Sequence, residues 1–132
     1  MQQQIPGPMY GDEVTHLPPD IEALYHEARG CMAAASYTGA VLICRKLLMN
    51  IAVAEGADEG KSFVTYIEHL AAQGYVPPKA RGWVDHIRRK GNEANHEIQL
   101  MDRKEAEQLL NFVQMLLRLA FEFPGQIPPP SP

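Results

Sequence analysis

Apolar residues recur along this chain at three- and four-residue intervals, the spacing that lines them up on one face of an α-helix. In "LPPDIEALYHEA" the stripe is Ile21, Leu24, Tyr25 and Ala28. Pro18 and Pro19 punctuate the chain before it, and Asp20 can accept hydrogen bonds from the amides of a new helix. The pattern predicts a first helix over about residues 20–35, with Gly30 and the small Ala33, Ala34 and Ala35 permitting close helix contact. "SYTGAVLICRKLLMNIAVAEG" is apolar on most sides, through Val41, Leu42, Leu47, Leu48 and Ile51, and Gly56 stops it. It is the expected central helix.

Ser62 can cap a third helix, "FVTYIEHLAAQG", whose stripe is Phe63, Tyr66, Ile67 and Leu70 and whose terminator is Gly74. After a "YVPPKA" turn, a fourth helix runs through "KARGWVDHIRRKGNEANHE", with Trp83, Val84 and Ile87 on its buried side. Asp102 caps a fifth, "RKEAEQLLNFVQMLLRLAFEF", and "PGQIPPPSP" should end regular structure. No stretch alternates with a two-residue period long enough for a strand. The expectation is an all-α, single-domain antiparallel bundle of about five helices over residues 17–124. Residues 1–16, rich in Gln, Pro and Gly, are expected as a mobile arm, and residues 125–132 as a solvated proline-rich tail.

A chain of 132 residues supports one core. Its apolar fraction of 45% and charged fraction of 21% are those of a folding sequence and exclude a largely disordered one. The net charge of -4 gives the whole molecule no attraction for nucleic acid, so any such binding must be local. Cys31 and Cys44 lie inside apolar helical patterns, without metal-knuckle spacing, and are expected as buried free thiols. The N-terminus lacks a basic start followed by an apolar stretch, and no segment approaches the roughly 20 apolar residues of a membrane span. A cytoplasmic location without membrane contact is expected.

One stretch departs from this ordinary picture. "IRRKGNEANHEI", residues 87–98, places two arginines, a glycine, two asparagines and a histidine in a segment that otherwise reads as helix. Arg88, Asn92 and His96 are successive four-residue steps, and Arg89 precedes His96 by two turns, so all can share one face. Imidazole moves protons near neutral pH, and guanidinium holds phosphate with paired hydrogen bonds while staying charged. Lys79, Arg81, Arg88, Arg89 and Lys90 make the segment basic, with Asp85 its one acid before Glu93. That is the footprint of a small phosphate-binding surface. The same residues also suit plain structural work: arginines decorate solvated faces, Gly91 and Asn92 can end a helix, and a lone histidine can hydrogen-bond a loop.

The order "LPPDIEALYHEA", "YTGAVLICRKLL" and "IRRKGNEANHE" before an acid-capped apolar helix resembles the bacterial family called domain of unknown function 4145, which is grouped with the HEPN superfamily of helical domains. The resemblance spans about residues 17–124 and is most specific at Ile87, Arg88, Gly91, Asn92 and His96. In HEPN ribonucleases an arginine and a histidine flank a short polar run, and two copies of the motif meet across a homodimer. The resemblance therefore implies a HEPN-like bundle with Arg88, Asn92 and His96 as catalytic residues and Arg89, Lys90, Arg81 and Lys79 as RNA or phosphate contacts. Arg89 fits the superfamily's general spacing and Arg88 the narrower family's, so either can be the motif arginine. It implies no cofactor and no metal, a homodimer, and RNA as the partner, in bacterial or phage-associated defence. The alternative it implies is a non-catalytic module docking onto an antitoxin, nuclease or ATPase. One departure bears on the choice: after Arg45 and the leucines, Met49 stands where the family often has a glutamate.

Overall fold

The computed structural model describes residues 9–82, 84–86, 89 and 101–128. Helix α1 spans Pro19–Ala33. Pro19 takes its first helical position, where a missing N–H costs nothing because that amide has no intrahelical partner. Asp20, expected to cap the helix, lies instead within the first turn beside Glu22, where both carboxylates face the positive end of the helix dipole. The buried face is Ile21, Tyr25, Ala28 and Met32. Gly30 does not mediate a close approach, since a Cβ there would meet nothing within 4 Å. The reversal into the next helix is instead made by Ala35 at φ 58°, with Ser36 N–H donating to Cys31 O at 2.8 Å.

Helix α2, Tyr37–Ala54, buries Ala40, Val41, Cys44, Leu47, Leu48, Ile51 and Ala52. These span more than one face, as a helix with neighbours on several sides requires. Leu42, expected among them, is 61% exposed. At 18 residues and a mean hydropathy of 1.4, α2 is long and apolar enough to cross a membrane, contrary to the expectation that no segment would be. In this fold its apolarity is satisfied by packing against α1, α5 and the next helix.

Helix α3, Phe63–Ala72, is capped by Ser62, whose Oγ accepts from Thr65 N–H at 3.2 Å, and the chain leaves it through Gly74 at φ 86°. The loop before it is pinned by Tyr66, whose hydroxyl donates to Asp58 O at 2.9 Å and accepts from Lys61 N–H at 3.1 Å. The expected turn holds a short 3-10 segment, Pro78–Ala80. Residues 81, 82, 84–86 and 89 are helical and are called α4 here; Val84 is buried as expected, while Trp83 and Ile87 lie outside the described residues.

Helix α5, Arg103–Leu117, starts where expected, with Asp102 Oδ1 accepting from Glu105 N–H at 2.8 Å. Met101 N–H donates to Thr38 Oγ1 at 3.0 Å, which sets the start of α5 beside the start of α2. Tyr25, midway along α1, reaches Gln114 near the other end of α5 at 3.1 Å. Helix α1 therefore runs antiparallel to both, and α2 and α5 point the same way. The molecule is an all-α bundle, with no strand among the described residues.

Regular structure does not stop before Pro124, as the proline-rich pattern suggested. A π-helical turn over Arg118–Glu122 leads into α6, Phe123–Gln126. Proline cannot donate a hydrogen bond and its ring strikes the carbonyl four residues back in a regular helix. Widening the turn just before it changes that register, and Pro124 falls in the first turn of α6.

The expected mobile arm is, over residues 9–16, a strap laid along α5. Arg29 donates to Tyr10 O at 2.9 Å and to Gly11 O at 3.1 Å. Tyr25 hydroxyl donates to Asp12 O at 2.6 Å. Asp12 N–H donates to Gln114 Oε1 at 2.8 Å, and the Asp12 carboxylate meets Arg118 at 3.0 Å. Thr15 N–H donates to Glu122 at 2.7 Å, Val14 is buried, and the His16 ring lies over Gly125. The strap carries no periodicity because its partners are side chains of α1 and α5 that answer backbone groups. Residues 1–8 and 129–132 lie outside the described residues.

Two outcomes test the strap. Burial pushes the Tyr25 phenol up to about 12, and burial with the Glu55 carboxylate does the same for Tyr75. An unfolded phenol titrates near 10, so this contribution to stability is whole below pH 10 and should be lost as pH rises towards 12. Tyr25→Phe should lower stability at neutral pH by about 1 kcal/mol and remove part of that alkaline loss, as read by melting temperature against pH. Gly125→Ala would place a Cβ 2.5 Å from His16 Cγ; it should loosen the strap end, costing about 1 kcal/mol and accelerating hydrogen exchange at the Thr15 amide while leaving α2 amides protected.

Candidate nucleic-acid interface

The bundle holds the described residues that flank the basic stretch. Ahead of it, Ser62 and Gly74 delimit α3, the Pro78–Ala80 turn redirects the chain, and buried Val84 docks α4 on the core. Behind it, the Met101 bond to Thr38 fixes where the chain re-enters the bundle. Of the residues singled out in the sequence, Lys79, Arg81 and Arg89 are described and all are exposed. None of the three makes a hydrogen bond or ion pair among the described residues. Arg88, Lys90, Asn92 and His96 lie outside the described residues.

Arg81 lines a cavity of about 360 Å³ between α3 and α4, together with Ile67, Glu68, Ala71, Ala72, Val84 and Asp85. The cavity escapes a reading of the sequence because half its lining belongs to α3, whose stripe announces only a core helix. A larger cleft, about 670 Å³, opens between the strap and α1, and its polar lining includes Glu13, His16, Glu22, His26 and Arg29. The strap itself makes this cleft, so nothing in the local pattern of α1 signalled it.

Other candidate groups are occupied structurally. The Arg45 guanidinium stacks over Phe63 at 4.7 Å, and burial lowers its pKa. Met49 is half-buried against the core. His69 Nε2 meets Glu55 O at 3.1 Å at the end of α2. Among the described residues no group of three or more His, Cys, Asp or Glu could hold a metal ion. Cys44 is buried and free, and burial pushes its thiol up to about 12 despite the neighbouring Arg45; Cys31 is free but only half-buried, a departure from the expected burial of both.

Three exposed cations, Lys79, Arg81 and Arg89, are thus the described part of the site. The family model for the domain of unknown function (DUF4145) matches residues 26–127, and the chain belongs to that family. No curated protein and no solved structure gives a significant match.

The thiols provide a direct check on this packing. With an aromatic disulfide reagent at pH 8, one thiol per chain, Cys31, should react in the native protein and two after unfolding in guanidinium, because a thiol titrating near 12 holds almost no thiolate at pH 8.

Proposed function

We propose that this chain is a HEPN-like, metal-independent endoribonuclease of bacterial or phage-associated defence or stress response, working in the cytoplasm as a homodimer without membrane contact. The observation that carries the reading is the set of exposed cations Lys79, Arg81 and Arg89, without partners among the described residues, on a chain whose net charge is -4. Exposed cations add little stability, and a run of them in the sequence of an acidic protein attracts phosphate.

In this reading His96 removes the proton from an RNA 2′-hydroxyl as that oxygen attacks the adjacent phosphorus. The bond to the 5′-oxygen breaks, the proton is returned to that leaving oxygen, and a 2′,3′-cyclic phosphate and a 5′-hydroxyl result. Arg88 neutralises charge gathering on the phosphoryl oxygens, and Asn92 aligns the phosphate or the imidazole. Arg89, Lys90, Arg81 and Lys79 hold flanking phosphates. The nucleophile belongs to the substrate, so the step needs no cofactor. Met49, standing where relatives often carry an acid, favours a second reading: a non-catalytic module that docks onto an antitoxin, nuclease or ATPase through the same surface.

Wild-type and His96→Ala protein, matched in folding and oligomeric state, should be incubated with labelled RNAs in EDTA. Cleavage by wild type, reduced at least about a hundredfold by the substitution, is the expected result. Cleavage that survives His96→Ala would remove His96 from the mechanism, and intact RNA with both proteins would leave the docking module.

A further inference from the structure

We propose that two copies of this chain associate by exchanging their straps, with His16 as the hinge. Residues 9–16 of each copy then sit between α1 and α5 of the other; the inference stands on the strap and not on the ribonuclease reading. In one copy the strap meets α1 in reverse order, with Asp12 O held by Tyr25 and Tyr10 O by Arg29, one turn further on. Strap and α1 therefore lie side by side and run in opposite directions, and the chain reverses between residues 15 and 19. Leu17 and Pro18 each precede a proline, which disfavours folding back at either, and Pro18 is extended at φ -56° and ψ 147°. The reversal falls to the bend at Thr15 and His16. His16 makes it at φ 65°, a left-handed conformation that an L side chain enters only at a cost.

The side chains that seat the strap all belong to α1, to α5 or to the π-helical turn after it: Tyr25, Arg29, Gln114, Arg118 and Glu122, with Asn111 accepting from the Tyr10 hydroxyl at 3.2 Å. None of them lies in the hinge. A strap delivered by a second copy makes the same bonds and buries the same Val14, so the groove is indifferent to its source. Only the hinge differs between the two arrangements. With His16 extended, the segment through Pro19 leads away from its own groove, and two copies facing each other across a two-fold axis can each fill the other's. Exchange regains every bond of the closed form and relieves the left-handed turn twice, once in each copy, which favours the dimer. Loss of freedom on association opposes it, so the exchanged form grows with protein concentration.

The test is charge reversal in the full chain. Asp12→Arg sets two guanidiniums against each other at the Asp12–Arg118 contact, and Arg118→Asp sets two carboxylates there. Within either variant alone, closed or exchanged, the contact is repulsive. In an exchanged heterodimer both contacts become oppositely charged, because each strap sits in the other chain's groove. An equimolar mixture should therefore show heterodimers over homodimers about tenfold in excess of the statistical ratio by native mass spectrometry, and should melt above either variant alone. His16→Gly, which removes the cost of the closed hinge, should weaken the dimer of the otherwise wild-type chain about tenfold in light scattering. His16→Pro, whose ring forbids a positive φ, should strengthen it. A mixture in which each variant stays with itself and melts as two separate components would overturn the exchange. So would a monomeric His16→Pro chain with a rapidly exchanging Thr15 amide, since its strap would have left one groove without entering another. A wild-type dimer insensitive to both hinge substitutions would overturn the exchange and leave the homodimer proposed above standing.

Discussion

The structure depends on burying α2, whose Leu47, Leu48 and Ile51 are fully enclosed. Each such side chain contributes roughly 1.5–3 kcal/mol when removed from water, and one neighbouring helix cannot cover a helix that is apolar on several sides. Helices α1, α3 and α5 therefore pack around it. The consequences reach the loops: the sharp reversal at Ala35 returns α1 onto α2, and Thr38 at the start of α2 receives the amide that precedes α5. The described residues on either side of the basic stretch, Val84 before it and Met101 after it, are thereby tied to the same core.

The second constraint is polar. The strap over residues 9–16 buries Val14 and packs a half-buried Tyr10 against the core, and its position is specified by Tyr25, Arg29, Gln114, Arg118 and Glu122. The bonds to Gln114, Arg118 and Glu122 connect positions about a hundred residues apart along the chain, and those to Tyr25 and Arg29 fewer than twenty. Individually each is worth of order 1 kcal/mol, so the strap holds because many bonds share one geometry and the Gly125 surface admits the His16 ring. The π-helical turn belongs to the same arrangement, since it carries Arg118 and Glu122 and delivers Pro124 into α6.

For the candidate site, charge was legible and shape was not. Lys79, Arg81 and Arg89 stand out in the sequence because they reverse the sign of an acidic chain, and they are exposed as that reading requires. The cavity beside Arg81 was invisible, because Glu68 lies on the outer side of a helix whose pattern speaks only of Ile67 and Leu70. Arg88, Asn92 and His96 lie outside the described residues, and their four-residue spacing in the sequence is what groups them.

What the sequence by itself determined is whatever depends on near neighbours. The stripes that placed α1, α2, α3 and α5, the caps Ser62 and Asp102, and the terminators Gly56 and Gly74 all act within a few residues, so they can be read in order along the chain. Tertiary structure alone decided what depends on distant partners. Leu42 looks like core but points away from all three neighbours of α2, and Asp20 looks like a cap but yields to Pro19. Residues 9–16 look unstructured, yet their backbone groups find donors and acceptors on α1 and α5. Periodicity reports which face of a helix is apolar; only packing decides which faces meet and which loop is drawn between them.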